Sequence, residues 1–176
     1  MADFEFNRLL IVESLTDSDF PSGSQLRDRL SGMSGEFSAG LSIEFETVVS
    51  SADFLSLIDG EVIRAAGGDH PILHIEVHGS KDKKGLVFSD GSFLSWPTLA
   101  DALRKLNKAT GFNLLLAVAA CFGGYSLGMV APGAPAPCCA LIGPSDEIYG
   151  DELLGNFSAF YSEFLKTYMG RRQSPH

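Results

Sequence analysis

Short apolar runs separated by stretches of helical periodicity constrain this chain more than any other feature. Arg8–Leu15 (RLLIVESL), Leu41–Val49 (LSIEFETVV), Ile72–Val77 (ILHIEV), Phe112–Ala120 (FNLLLAVAA) and Cys138–Ile142 (CCALI) have the length and side chains of strands. Between them, Ser22–Met33 places Leu26, Leu30 and Met33 on one helical face, with Ser22 or Ser24 as cap, and Ser51–Ala66 does the same with Leu55, Ile58 and Val62 before Gly67-Gly68. Leu86–Leu94 reads as a small hairpin around Asp90-Gly91. A helix then starts at Ser95-Trp96-Pro97, with Leu99, Leu103 and Leu106 inward and Asp101 four before Lys105. Gly123-Gly124 turns into a short helix through Met129, and Ala131–Pro137 is a loop. Asp151–Met169 closes the chain with a stripe of Leu153, Phe157, Phe160, Phe164 and Tyr168.

Nearly unbroken apolar strands alternating with helices imply a sheet covered on both faces. The expected fold is a three-layer α/β domain with a mostly parallel sheet of about five to six strands, plus the small hairpin. The 176 residues contain no repeat and no dividing linker, so residues 1–176 are expected to form one domain.

Charge narrows the partners. The formal net charge is -9, and the Lys81-Lys83-Lys84 cluster falls in a loop and reads as solvated surface. Nucleic acid and anionic membrane are therefore poor partners. No run has the length needed to span a bilayer, and the start, Met1-Ala2-Asp3-Phe4-Glu5, is acidic where a secretory signal is basic. A cytoplasmic location is expected. Three cysteines, two of them adjacent (Cys138-Cys139), do not make a disulfide framework.

Two of the apolar runs end in reactive side chains. Pro71–Gly79 ends His78-Gly79, and Asn113–Gly124 carries Ala120-Cys121-Phe122-Gly123-Gly124. In open α/β sheets ligands bind at the carboxyl ends of strands. A His and a Cys delivered there suggest a thiol nucleophile with its acid–base partner. Taken alone, Cys121 could be an inert core thiol. The glycine pair after it and the His-Gly strand end favour the functional assignment. His70, His74 and His78 recur every four residues, but on a strand that interval is about 13 Å, too long for one metal ion. His74 and Glu76 share the strand face of His78; Glu76 could orient His78, although such residues more often satisfy polar neighbours. Trp96 is expected to be core.

The separation of 43 residues, His before Cys, is near the roughly 50 of caspases. An apolar strand ending His-Gly, a hairpin and helix, then an apolar strand ending Ala-Cys, resembles the caspase-like cysteine peptidases. Residues 77–124, with Gly85-Leu86-Val87-Phe88-Ser89-Asp90-Gly91 and Leu114-Leu115-Leu116 before Ala120-Cys121, look most like the bacterial CHAT branch. The last helix, with Phe160-Tyr161 and Phe164-Leu165, is similar to that group's ending. The resemblance implies a cysteine endopeptidase acting on a protein or peptide. Cys121 would be the nucleophile and His78 the general acid–base group, with the backbone N–H groups of Gly79 and Cys121 as the oxyanion hole. Donors of that kind each contribute about 2.7–4 kcal/mol. No cofactor is implied. Relatives in that branch usually carry sensor or repeat domains, so a separate activating protein is expected.

The sequence departs from better-known members where substrate is read. Ala119 stands where caspases have Gln and metacaspases an acidic residue, and Phe122 stands where caspases have Arg. Acidic residues crowd the strand ends instead: Glu13, Asp17, Asp19, Glu76, Asp146 and Glu147. They suggest a pocket preferring Arg or Lys. Two alternatives remain open: a catalytically inactive interaction module of the same fold, and a flavodoxin-like binding domain in which Cys121-Phe122-Gly123-Gly124 is only a tight turn.

Overall fold

The computed structural model describes residues 5–33 and 41–172, with no side chains described beyond residue 168. The acidic start at residues 1–4 lies outside them. Among the described residues, seven strands and four α-helices run in the order β1 (Arg8–Ser14), α1 (Ser22–Gly32), β2 (Ser42–Thr47), α2 (Ser51–Ala66), β3 (Pro71–Gly79), β4 (Gly85–Val87), β5 (Phe93–Ser95), α3 (Trp96–Ala109), β6 (Leu115–Ala119), β7 (Ala140–Ile142) and α4 (Gly150–Arg172). A 3-10 helix, Gly123–Met129, links β6 to β7.

Five strands are parallel in the order β2-β1-β3-β6-β7. The hairpin β4–β5 adds to the tip of β3 antiparallel, pairing His78 with Val87 and Gly79 with Leu86. The expected α/β architecture is therefore observed, with the hairpin extending the sheet to seven strands. Every residue of β1 and β6 is buried, as strands covered on both faces require. Alternate residues feed two cores. Leu10, Val12, Leu73, Ile75, Leu116 and Val118 pack with α2 and α3, while Leu9, Ile11, Ile72, Leu115 and Ala117 pack with α1 and α4.

Several local expectations shift. α1 has no side-chain cap; Ser24 Oγ donates to the Pro21 carbonyl and Ser22 Oγ reaches elsewhere. The buried stripe of α2 is Phe54, Ile58, Glu61 and Ala65, with Leu55 and Val62 only partly covered. The helix is rotated because Glu61 must reach Arg8. That arginine is 1% exposed and pairs with Glu61, with Asp69 at 2.7 Å and with Glu44 at 3.3 Å. Asp101 pairs with Arg104 at 2.7 Å, and Lys105 with Asp59 at 3.6 Å, in place of the expected Asp101–Lys105 pair. Trp96 is buried, and its indole N–H donates to the Lys83 carbonyl at 2.8 Å. The Arg8 cluster ties β1 to β2 and α2 at the start of the strands, leaving the opposite, carboxyl edge for chemistry.

Candidate functional site

The tips of β3 and β6 meet at the carboxyl edge. Glu76 pairs with Ala119 in the parallel ladder, and His78 and Cys121 each lie two residues further on. The ladder ends there: β3 runs on to Gly79, while the chain leaves β6 after Ala119 and turns at Cys121. Gly79 shows how close the tips come. A Cβ built there would sit 1.7 Å from the Cys121 carbonyl oxygen and 2.8 Å from its carbon. Only glycine permits that approach.

Cys121 occupies a sharp corner between β6 and the 3-10 helix. The next residue, Phe122, has φ 59°, a left-handed conformation uncommon for an aromatic residue. Three contacts hold it there. Its N–H donates to the Asp146 carbonyl at 3.1 Å, the Gly123 N–H donates to the Ala120 carbonyl at 2.9 Å, and Lys83 Nζ lies 4.6 Å from the Phe122 ring centre. Lys83 covers Tyr125 equally, so it is a packing residue of the corner and not merely solvated surface. Strain of this kind is kept where the surroundings over-determine it. At the corner Cys121 is half-buried, and its thiol donates to the Ile148 carbonyl at 3.6 Å.

The imidazole of His78 is exposed, and its Nε2 donates to Asp19 Oδ2 at 3.1 Å. Asp19 lies in the loop after β1 and also accepts from the N–H and hydroxyl of Thr16, both at 2.7 Å. Burial works to raise the Asp19 pKa, but the bonds from Thr16 and His78 outweigh it and hold the carboxyl below its ordinary value. Asp19, one of the acidic residues expected in the substrate pocket, is the partner of the imidazole instead. The sequence signal for it is Thr16-Asp17-Ser18-Asp19, a turn in which the Asp19 N–H returns to the Thr16 carbonyl at 2.9 Å.

Below the surface residues lies a buried polar chain. Glu76, 1% exposed, accepts from Ser22 Oγ at 2.7 Å and from His74 Nε2 at 2.9 Å. Because a carboxylate only accepts, His74 Nδ1 is left to accept from the Tyr161 hydroxyl at 3.0 Å. Glu13 accepts from the N–H groups of Gly23 at 2.9 Å and Ser24 at 3.3 Å, and so supplies the cap that α1 lacks. Burial raises the Glu13 pKa, opposed by those two N–H groups and reinforced by the Glu76 charge. Burial and then the Glu76 charge push the Tyr161 phenol well above its ordinary value.

Glu13 and Glu76 are thus engaged inside the fold, not turned towards a substrate, and Glu76 serves His74 instead of orienting His78. Ala119 is buried beneath the corner. Of the residues expected to bind substrate, Asp17, Asp146 and Glu147 are exposed.

One further feature was not foreseen. A cavity of about 170 Å³ opens beside the corner, walled by Ile142, Pro144, Ile148, Leu153, Phe157 and Phe160. The backbone of Ile148 thus touches the Cys121 sulfur while the residue lines the cavity. Its walls come from one stretch of chain, residues 142–160, in which β7, the following loop and the start of α4 fold against each other. Burial pushes the Cys138 thiol up to about 11, with Cys139 adding to the shift. Among the described residues no group of three His, Cys, Asp or Glu side chains could hold a metal ion, and no helix is long and apolar enough to cross a membrane.

Comparison with protein-family models, with curated proteins and with solved structures found no match for this chain.

Proposed function

We propose that the chain is a cysteine endopeptidase working through Cys121, His78 and Asp19. The observation that supports this is the close approach of Gly79, next to His78, to the Cys121 backbone at the ends of β3 and β6. Asp19 on Nε2 fixes the ring and leaves Nδ1 for proton transfer. The thiol proton passes to Nδ1 and the sulfur attacks the scissile carbonyl carbon. The backbone N–H groups of Gly79 and Cys121 receive the oxyanion. The imidazolium then protonates the leaving amine as the C–N bond breaks, giving a thioester. Water, deprotonated by His78, hydrolyses the thioester to a carboxylic acid and restores the thiol.

The three thiols are free, which suits a reducing compartment, and we place the activity in the cytoplasm with a separate protein as activator. The parallel order β2-β1-β3-β6-β7 is also that of flavodoxin-like binding domains, whose ligand sits where β1 and β3 diverge. Here that crevice carries Asp17 and Asp19, which would repel a phosphate. An inactive module of the same fold predicts an unreactive Cys121.

Alkylation separates these readings. Iodoacetamide should modify Cys121 ahead of Cys138, whose thiolate is scarce at pH 8. His78→Ala should slow modification of Cys121. Incubation with candidate protein substrates should yield new N-termini with wild type and none with Cys121→Ala. Equal reactivity of Cys121 in wild type and His78→Ala, with no Cys121-dependent fragments, would rule out the peptidase.

A further inference from the structure

We propose that the cavity beside Cys121 receives one uncharged aliphatic or aromatic side chain of the substrate, a Leu, Met or Phe next to the cleaved bond; this deepens, and rests on, the peptidase reading.

Three observations converge on it. The first is position. Ile148 contacts the Cys121 sulfur through its carbonyl, 3.6 Å away, and lines the cavity. A peptide whose carbonyl lies against that sulfur therefore has the cavity within reach of a neighbouring side chain.

The second is size. The space is about 170 Å³. An apolar cavity of about 150 Å³ accommodates a benzene ring. One Leu, Met or Phe side chain fits.

The third is charge. None of the described residues lining the cavity is ionisable, and Asn156 is its one side chain with hydrogen-bonding groups. A Lys, Arg, Asp or Glu placed there would lose its water without gaining a partner. Three of the six strand-end carboxylates are already engaged, and the exposed Asp17, Asp146 and Glu147 do not line the cavity. Glu13 holds the start of α1, Glu76 holds His74 and Ser22, and Asp19 holds His78. The preference for Arg or Lys suggested by the acidic loops thus finds no carboxylate in the cavity, and an apolar preference takes its place. Ala119, small and buried beneath the corner, puts no polar group there either.

The test uses four chloromethyl ketones, acetyl-Ala-Ala-Xaa with Xaa as Leu, Lys, Asp or Gly, on the full chain. The rate of Cys121 alkylation is read by peptide mapping, and iodoacetamide reports thiol reactivity without side-chain recognition. The Leu reagent should react at least about ten-fold faster than the Gly, Lys and Asp reagents, the usual reach of an apolar pocket. Ile148→Glu, a change in a half-buried loop residue, should reduce the Leu rate and raise the Lys rate relative to wild type. A Lys or Asp reagent matching Leu in wild type, or Leu no faster than Gly, would overturn the pocket while leaving the Cys121–His78 pair standing. If iodoacetamide and all four reagents leave Cys121 no more reactive than exposed Cys139, the peptidase reading falls and this proposal falls with it.

Discussion

Replacing Gly79 with alanine probes the contact between the β3 and β6 tips directly. The new Cβ would begin 1.7 Å from a backbone oxygen, and real Cβ atoms essentially never come within 3.0 Å of such an atom. The two tips must therefore part by at least 1.3 Å, since no flexible side chain is available to yield. Misplacing reacting groups by about 1 Å costs on the order of 100-fold in rate, or about 2.7 kcal/mol of barrier. Overpacking of this kind also destabilises by about 1–3 kcal/mol. At about 2–4 °C per kcal/mol for a domain of this size, the melting temperature should fall by roughly 2–12 °C. Gly60→Ala is the control, because a Cβ there meets nothing within 4 Å on exposed α2. It should gain about 0.5–1 kcal/mol from helix propensity alone. Circular dichroism melts give the stability, and the rate of Cys121 alkylation by the Leu reagent gives the reactivity. A Gly79→Ala protein with wild-type melting and a wild-type rate would mean that the tips do not touch, and the proposed site would lose its basis.

Asp19→Asn should slow Cys121-dependent cleavage by roughly ten- to a hundred-fold through loss of the charge that orients His78, while stability moves by less than about 0.5 kcal/mol because the pair is open to solvent; unchanged cleavage kinetics would count against the assignment. Arg8→Ala should cost about 3 kcal/mol in urea unfolding, since buried Glu61 would lose its buried cation and keep only the exposed Arg64 at 3.4 Å. A loss under about 1 kcal/mol would show that the cluster is not closed. Glu13 has a raised folded pKa, so its favourable share of stability is present below the ordinary carboxyl value of 4.5 and is lost as pH rises through the folded value. Glu13→Gln should therefore compare better with wild type at pH 8 than at pH 4 in thermal melts, and parallel profiles would contradict the cause assigned to the shift.

Periodicity carried most of the fold. The apolar runs at Arg8–Leu15 and Phe112–Ala120 announced strands, observed at Arg8–Ser14 and Leu115–Ala119, and Ser95-Trp96-Pro97 announced the start of α3. α2 was placed correctly, yet its buried face was not, because a charged residue, Glu61, turns inward only when Arg8 is known to be waiting. The same blindness applied at the site. His78 and Cys121 were legible because each ends an apolar run, and a strand end is a local property. The six acidic residues looked alike in sequence, although one holds the imidazole, two are buried within the fold, and three face solvent.

The sequence by itself determined which segments become strands and helices, and which reactive side chains stand at their ends, because these depend on side-chain size and alternation over a few residues. Only the tertiary structure decided that β3 lies between β1 and β6. That adjacency gave His78 a partner 59 positions away and matched Gly79 to the Cys121 backbone. Hydrogen bonds and close packing act over about 3–4 Å. Which groups come within that range is set by strand order and register, and neither is written in any single stretch of the chain.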